Sequence, residues 1–430
     1  MSRAISTGRR AMSKTLRRKV WRDLRANRGQ FFAVWLIVTL GTTFYGAMYP
    51  AGQNMLASIY RSYDDSNSLD FQVQIDSAVP DAIEPVRAIP GVEQVEGRLI
   101  VESGLQVNPP HDYLINLRLI SVPDDREPAV SRSHLRSGHD IRSAGEVLVL
   151  ERFAKTHDLE AGDKLRVLVN SQMVDLSIAG IVFNAEYFVS GRSPEAPFPI
   201  PSTFGVAWIR YSELASLAGR EGEINDIAVH LEGKASQDRS GLYASVEAAL
   251  RAQFAAHGAV IYAREQTASG GIVRALINGN FPLMRFYSGM FLLGGTLITG
   301  ILLARLVESE RRRIGTMRSM GVTRRELVLH YLTFGLIIGV AGGVAGSVLG
   351  YLNSFWVMYT FLSYIAGGPL PNFVNTPQIG FILLGLLVVV AGSTFAGAYP
   401  VWAQSAAPPG IALRPATPRT PNALSRVPLG

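Results

Sequence analysis

Cysteine is absent from the 430 residues, which removes disulfides and thiol catalysis and agrees with a domain on an oxidising side of a membrane. The chain also has no G-x-S-x-G elbow and no H-E-x-x-H pair, so covalent catalysis and zinc-peptidase chemistry lack a candidate. The most informative absence is of charge. Between Leu327 and Leu413 no Asp, Glu, Lys or Arg occurs, and only His330 could titrate. Soluble domains carry about a quarter of their residues as charges, so this stretch must face lipid or be wrapped by protein.

What charge there is lies elsewhere. A net charge of +7 is compatible with nucleic-acid binding, but here the basic residues cluster before the first apolar run and in one short loop between apolar runs. A membrane accounts for that clustering better than a nucleic-acid partner does.

Four segments are long enough to cross roughly 30 Å of hydrocarbon at about 1.5 Å per helical residue. They run from Phe31 to Tyr49, Leu283 to Leu306, Leu327 to Tyr351 and Ile379 to Val401, giving helices placed at 30–50, 283–306, 327–351 and 379–401. The basic run of Arg9, Arg10, Lys14, Arg17, Arg18, Lys19, Arg22, Arg25 and Arg28 precedes the first, and the positive-inside rule puts segment 1–29 in the cytoplasm. Alternation then puts 51–282 outside, 307–326 inside, 352–378 outside and the tail 402–430 inside. Charge agrees: the inside loop holds Arg311, Arg312, Arg313, Arg318, Arg324 and Arg325, the second outside loop has no Lys or Arg, and the tail carries Arg414, Arg419 and Arg426. A cleaved signal peptide is the rival for the first segment, though its apolar run exceeds the usual ~7 to 15-residue signal core. Arg285 and Arg305 sit near the ends of the second span, where arginine can snorkel. Phe355 to Ile365 is too short to cross and, with Trp356, Tyr359 and Tyr364, is expected to lie as a helix at the outer interface, the alternative being a re-entrant turn.

The third span carries two glycine ridges at four-residue spacing, Gly335, Gly339 and Gly343, and Gly342, Gly346 and Gly350. Such spacing lets another backbone approach one helix face, either within this bundle or on a second subunit.

The outside domain reads as α+β. FQVQI at Phe71 to Ile75, a helix over Asp81 to Ala88 and a strand around Arg98 to Val107 form a strand–helix–strand piece. IAVHL at Ile227 to Leu231, a helix around Tyr243 to Ala256 and AVIYA at Ala259 to Ala263 repeat that order. The two pieces should make one lobe, with a β-rich lobe inserted at about 125–222.

Two weak motifs are set aside. GRRAMSKT at Gly8 to Thr15 has Ser13 where a phosphate-binding loop needs its second glycine, and no strand precedes it, so the chain lacks its own ATP site. His134, His139 and Asp140 miss one-turn helical spacing for a metal.

The remaining segment is ESERRRIGTMRSMGVTRREL, Glu308 to Leu327. Ile314, Met317 and Met320 with Gly321 form an apolar stripe among arginines, and Thr323 with Glu326 has capping-box spacing for the next helix. The pattern predicts a short helix along the inner membrane surface, or at its plainest a basic loop that sets topology.

This segment is similar to the E-R-x-x-E-I-G-x-x-R-x-x-G signature of the FtsX-like (MacB-type) ABC transporter permease family. Ile314, Gly315, Arg318 and Gly321 match, Glu310 and Arg311 supply the E-R pair one position later than the signature spacing, and Arg313 stands where the family usually has an acid. PVWAQSAAPPGIALRP at Pro400 to Pro415 and GEVLVLERFAKTHDLEAGDKLRV in the insert resemble further family segments. The resemblance implies a membrane α-helical fold of four transmembrane helices with an extracytoplasmic α+β domain, a ferredoxin-like porter lobe plus the β-rich lobe, in a bacterial inner membrane with both termini cytoplasmic. It implies that Glu310, Arg311, Ile314, Gly315, Met317, Arg318, Met320 and Gly321 form a coupling helix for a separate ABC ATP-binding subunit, which would hold ATP and Mg while this chain holds no cofactor. Further implied partners are a second permease copy or relative, membrane lipid and, optionally, a periplasmic membrane-fusion adaptor. The function implied is export or extraction of a lipid, lipoprotein or peptide-like cargo. The alternatives are mechanical regulation of a cell-wall hydrolase or signalling partner, and a membrane-anchored enzyme or sensor.

Overall fold

A computed structural model describes residues 22, 24–26, 28–106, 115–189, 191 and 202–404. The Gly8 to Thr15 motif, most of the N-terminal basic run and the tail arginines lie outside these. In chain order the helices are α1 (Arg28–Asp65), α2 (Glu84–Arg87), α3 (Glu151–Thr156), α4 (Tyr211–Ala218), α5 (Ser240–Gln253), α6 (Ala268–Ala275), α7 (Phe281–Ser309), α8 (Arg311–Ser319), α9 (Arg324–Ala366) and α10 (Ile379–Gln404). A π-helical turn, Leu276–Asn280, joins α6 to α7. The strands are β1 (Phe71–Ala78), β2 (Val92–Arg98), β3 (Ile100–Gln106), β4 (Ile115–Val122), β5 (Ser133–Gly138), β6 (Glu146–Leu150), β7 (Lys164–Val169), β8 (Gln172–Asn184), β9 (Phe204–Arg210), β10 (Ile224–Leu231) and β11 (Val260–Ala263).

The chain divides into two compact units, one of Met1–Pro50, Phe286–Ser354 and Pro377–Gly430, the other of Ala51–Arg285 and Phe355–Thr376. The first is helical. Four runs, Arg28–Asp65, Ala268–Ser309, Arg324–Ala366 and Ile379–Trp402, are long and apolar enough to cross a membrane. Phe31, Val34, Val38, Leu303, Phe334 and Val389 belong to the core of this unit, whereas Leu293, Leu297 and Ile301 of α7 and Leu383, Leu387 and Phe395 of α10 are exposed. Apolar side chains this numerous on the outside suit lipid.

Glycine decides how these helices meet. A Cβ on Gly342 would stand 2.6 Å from Val38 Cγ1, one on Gly346 2.6 Å from Thr39 O and one on Gly350 2.9 Å from Thr43 O, all on α1. On the other ridge, a Cβ on Gly335 would stand 2.9 Å from Thr394 Cα and one on Gly343 2.7 Å from Leu386 Cδ1, both on α10, and Gly339 meets Ser393. Both ridges of α9 are therefore filled by helices of this same chain, and Gly41 of α1 meets Gly295 of α7 with 3.2 Å left for a Cβ.

The second unit, the head, holds two sheets. Strands β11, β1, β10 and β2 pair antiparallel in that order, backed by α2 and α5, over a core of Phe71, Val73, Val229, Val246 and Leu250. The other sheet has the order β5-β8-β6-β9-β4-β3-β7 and closes on itself, because the first half of the long β8 also pairs with β7. Leu105, Leu117, Val149, Phe153, Val167 and Ile209 fill its interior. Closure removes most of the unpaired strand edge.

Two expectations change. The strand that joins the four-stranded sheet is Val92–Arg98, and Ile100–Gln106 and Ile115–Val122 enter the seven-stranded sheet, upstream of the expected 125–222 insert. The exchange occurs at Leu99, whose side chain is fully buried and whose N–H is taken by Ser121 Oγ at 2.8 Å. Hydropathic alternation runs straight through that switch and hides it. The segment Phe355 to Ile365 is not a separate interfacial helix. It is the outer part of α9, continuous because no Gly or Pro interrupts residues 351–366 and because Met358, Leu362 and Ala366 are buried in the head. Likewise α1 runs past the apolar span to Asp65, its Ala51, Met55, Ile59 and Tyr63 forming a buried stripe at four-residue spacing.

Candidate functional site

The loop between α7 and α9 folds as α8. Ile314 and Met317, three residues apart, are 2% and 8% exposed and join the core of the helical unit, and Gly315 is buried with them. Met320, counted in the same stripe, is 70% exposed. The stripe breaks there because α8 ends. Gly321 takes φ +92°, its N–H donates to Arg318 O at 3.0 Å, and the N–H of Val322 donates to Met317 O at 3.1 Å, the pair of hydrogen bonds that closes a glycine-terminated helix. Thr323 then opens α9. Its N–H and Oγ1 donate to Glu326 Oε2 at 3.0 and 2.8 Å, and Glu326 N–H donates back to Thr323 Oγ1 at 3.3 Å, the reciprocal cap read from the spacing.

Among the charged positions, Arg311 and Arg318 are half-buried, Arg312 and Arg313 exposed. Arg313 donates to Glu310 Oε1 at 2.6 Å, so the basic residue at the departing position pairs with an acid three residues before it. The face that α8 presents to solvent is thus Arg312, Arg313, Thr316, Ser319 and Met320, while the Ile314–Met317 side is consumed internally. Behind it, Arg324 donates to Trp402 O at 2.7 Å and lies 4.6 Å over the Trp402 ring. Through this contact the start of α9 grips the end of α10.

Residues 285–409 match the family model described as FtsX-like permease C-terminal, a stretch that holds α8 and its flanking helices. That stretch is an FtsX-like permease C-terminal region. No curated protein matches the chain. Three solved structures are similar to parts of this chain. The extracellular domain of the noncanonic ABC-type transporter YknZ from Gram-positive bacteria aligns at 9% identity over 45% of this chain and 98% of that one, TM-score 0.29. The periplasmic region of MacB from Actinobacillus actinomycetemcomitans aligns at 11% identity over 51% and 98%, TM-score 0.30. A domain of a putative permease protein from Porphyromonas gingivalis aligns at 18% identity over 44% and 86%, TM-score 0.26. Scores this low leave the head to be read from its own residues.

The head contains charge clusters that sequence spacing does not reveal, because their members are far apart in the chain. Arg98 Nη2 lies 2.6 Å from Asp226 Oδ1 and its Nη1 donates to Glu186 Oε2 at 2.7 Å, all three nearly free of solvent, and Gln72 donates to Asp226 Oδ2 at 2.6 Å. This node joins the four-stranded sheet to the end of β8. In a second node Asp70, fully buried, accepts from Arg239 at 2.7 Å, Arg264 at 2.5 Å, Leu231 N–H at 2.9 Å and the Tyr243 hydroxyl. Beside it a cavity of about 500 Å³ is lined by Tyr60, Tyr63, Arg239, Tyr243, Arg264 and Arg274, with Arg264 lying 4.5 Å over the Tyr63 ring. His139 Nδ1 faces Asp140 O at 2.8 Å and His134 stands against Phe183, and among the described residues no three His, Asp or Glu gather as metal ligands.

Proposed function

We propose that this FtsX-like permease is the membrane subunit of an ABC transporter, docking a separate ATP-hydrolysing subunit on the solvent face of α8 and passing its motion to the head. The observation that carries the reading is the two-sided character of α8. Its apolar side is anchored in the chain's own helical core, so a push on the basic outer side moves α7 and α9 and is not absorbed by the loop. Helices α1 and α9, of 38 and 43 residues, each have residues in both units, which supports transfer along stiff rods. A second permease copy or relative completes the assembly, with α8 in the cytoplasm and the head outside a bacterial inner membrane. A cargo that is a lipid, lipoprotein or peptide follows from the family resemblance, and the uncharged spans suit handling on the outer side over passage through a polar pore.

Because Met317 is a core residue, the test belongs on the exposed face. Thr316→Asp with Met320→Asp should abolish co-purification of a co-expressed ABC ATP-binding subunit while leaving the melting temperature of the detergent-purified chain unchanged. Undiminished co-purification would falsify the docking face.

A further inference from the structure

The segment after α9 is a strap with a built grip at each end. At its start, three cations of the seven-stranded lobe converge on main-chain carbonyls at the C-terminus of α9. Arg152 donates to Ile365 O, Lys155 to Gly367 O at 2.8 Å and Arg136 to Pro369 O. Glu151, itself buried, holds two of these cations in place, accepting from Lys155 at 2.8 Å and Arg136 at 3.1 Å. A helix C-terminus presents unsatisfied carbonyls and partial negative charge, so cations are the complementary partners. The turn is cut to fit. Gly367 has φ +81° with Arg152 Cα only 2.8 Å from where its Cβ would be, and a Cβ on Gly368 would meet the Glu151 carboxylate.

At its far end the strap is sewn to α1. Val374 N–H donates to Ser58 Oγ at 3.0 Å, Asn54 Nδ2 donates to Thr376 O at 3.1 Å, and Asn372 donates to Asp65 at 2.5 Å. Asn54 and Ser58 are one turn apart on α1 and both buried. The strap, 367–376, carries no charged residue of its own, so every ion in the grip belongs to the lobe or to α1.

We propose that this strap is the joint through which displacement of α9 is delivered to the seven-stranded lobe, with Arg136, Arg152 and Lys155 as positioning residues and Glu151 as their organiser. The inference rests on the motion-transfer reading above and names where in the head that motion arrives. The alternative is a passive fastening that keeps the fold together while the lobes respond through other connections.

The cysteine-free chain allows spin labels to be placed without background. One pair, Trp356→Cys with Met173→Cys, reports the distance from α9 to the lobe. A second, Val79→Cys with Met173→Cys, reports the distance between the four- and seven-stranded lobes. Measurements use the full chain in nanodiscs with its co-expressed ATP-binding subunit, with and without ATP and vanadate. Two perturbations approach from opposite sides: Arg152→Gln with Lys155→Gln, which keeps the Arg136–Glu151 pair, and Gly368→Leu, which leaves all charges in place. The expected result is a narrow first distance that broadens in both variants, and a nucleotide-driven shift of the second distance that the variants mostly lose while ATP hydrolysis continues. If the unaltered complex shows no shift between the lobes, the motion-transfer reading itself fails. If it shifts and both variants shift equally, the joint alone is overturned.

Discussion

Two buried acids in the head should answer pH with opposite sign. Burial drives Asp226 upward, Arg98 pulls it down and Glu186 on the same guanidinium pushes it up again, for a net rise. Burial also drives Asp70 upward, yet Arg264 and Arg239 together with the Tyr243 and Leu231 hydrogen bonds outweigh it and hold the carboxyl below its ordinary value. A raised folded value means that the stabilisation linked to Asp226 is complete below its unfolded value, about 3.9, and is lost as pH rises through the folded value. A depressed folded value means that the share from Asp70 is present above about 3.9 and is lost as pH falls through the folded value. Melting of the full chain in detergent should therefore show Asp226→Asn flattening the gain in stability seen on acidifying from neutrality toward about pH 4. Asp70→Asn should lower the melting point at neutral pH and shrink the acid-side loss. Arg98→Met strands two buried acids at once and is expected to cost about 3–5 kcal/mol. None of these residues was visible as a site in the sequence, because a lone Arg ending one strand and an Asp in another become partners only through the register that sets Arg98 opposite Asp226.

Among the elements, what could be read in advance was what depends on local pattern. The apolar spans, the Thr323–Glu326 cap and the alternating strands each declare themselves within a few residues, and each is present. What depends on a distant partner could not be read. The spacing of the α9 glycines showed that a backbone would come close, but not that Gly342, Gly346 and Gly350 serve α1 while Gly335, Gly339 and Gly343 serve α10. The apolar stripe of α8 likewise divides, since helical periodicity cannot foresee the left-handed stop at Gly321 that turns Met320 away. This assignment has a direct consequence. Gly346→Leu must push α1 and α9 apart and should cost about 1–3 kcal/mol, lowering the melting temperature and the yield of folded protein. Gly289→Leu on α7, where nothing lies within 4 Å, should leave both unchanged and serves as the control.

For the whole molecule, function turns on which side of the bilayer each part occupies. Single cysteines at Val79 in the head and Met320 after α8, both well exposed, give a clean measurement with a membrane-impermeant maleimide in intact spheroplasts. Val79→Cys should label at once and Met320→Cys only after permeabilisation. Labelling of both from outside would separate α8 from any ATP-hydrolysing partner and remove the transporter reading altogether.

The grip on residues 365–369 is made on carbonyl oxygens, which every amino acid possesses. Side chains there can drift without loosening it, save at the two glycines, so the contact would leave almost no paired substitutions by which comparison of related sequences could detect it.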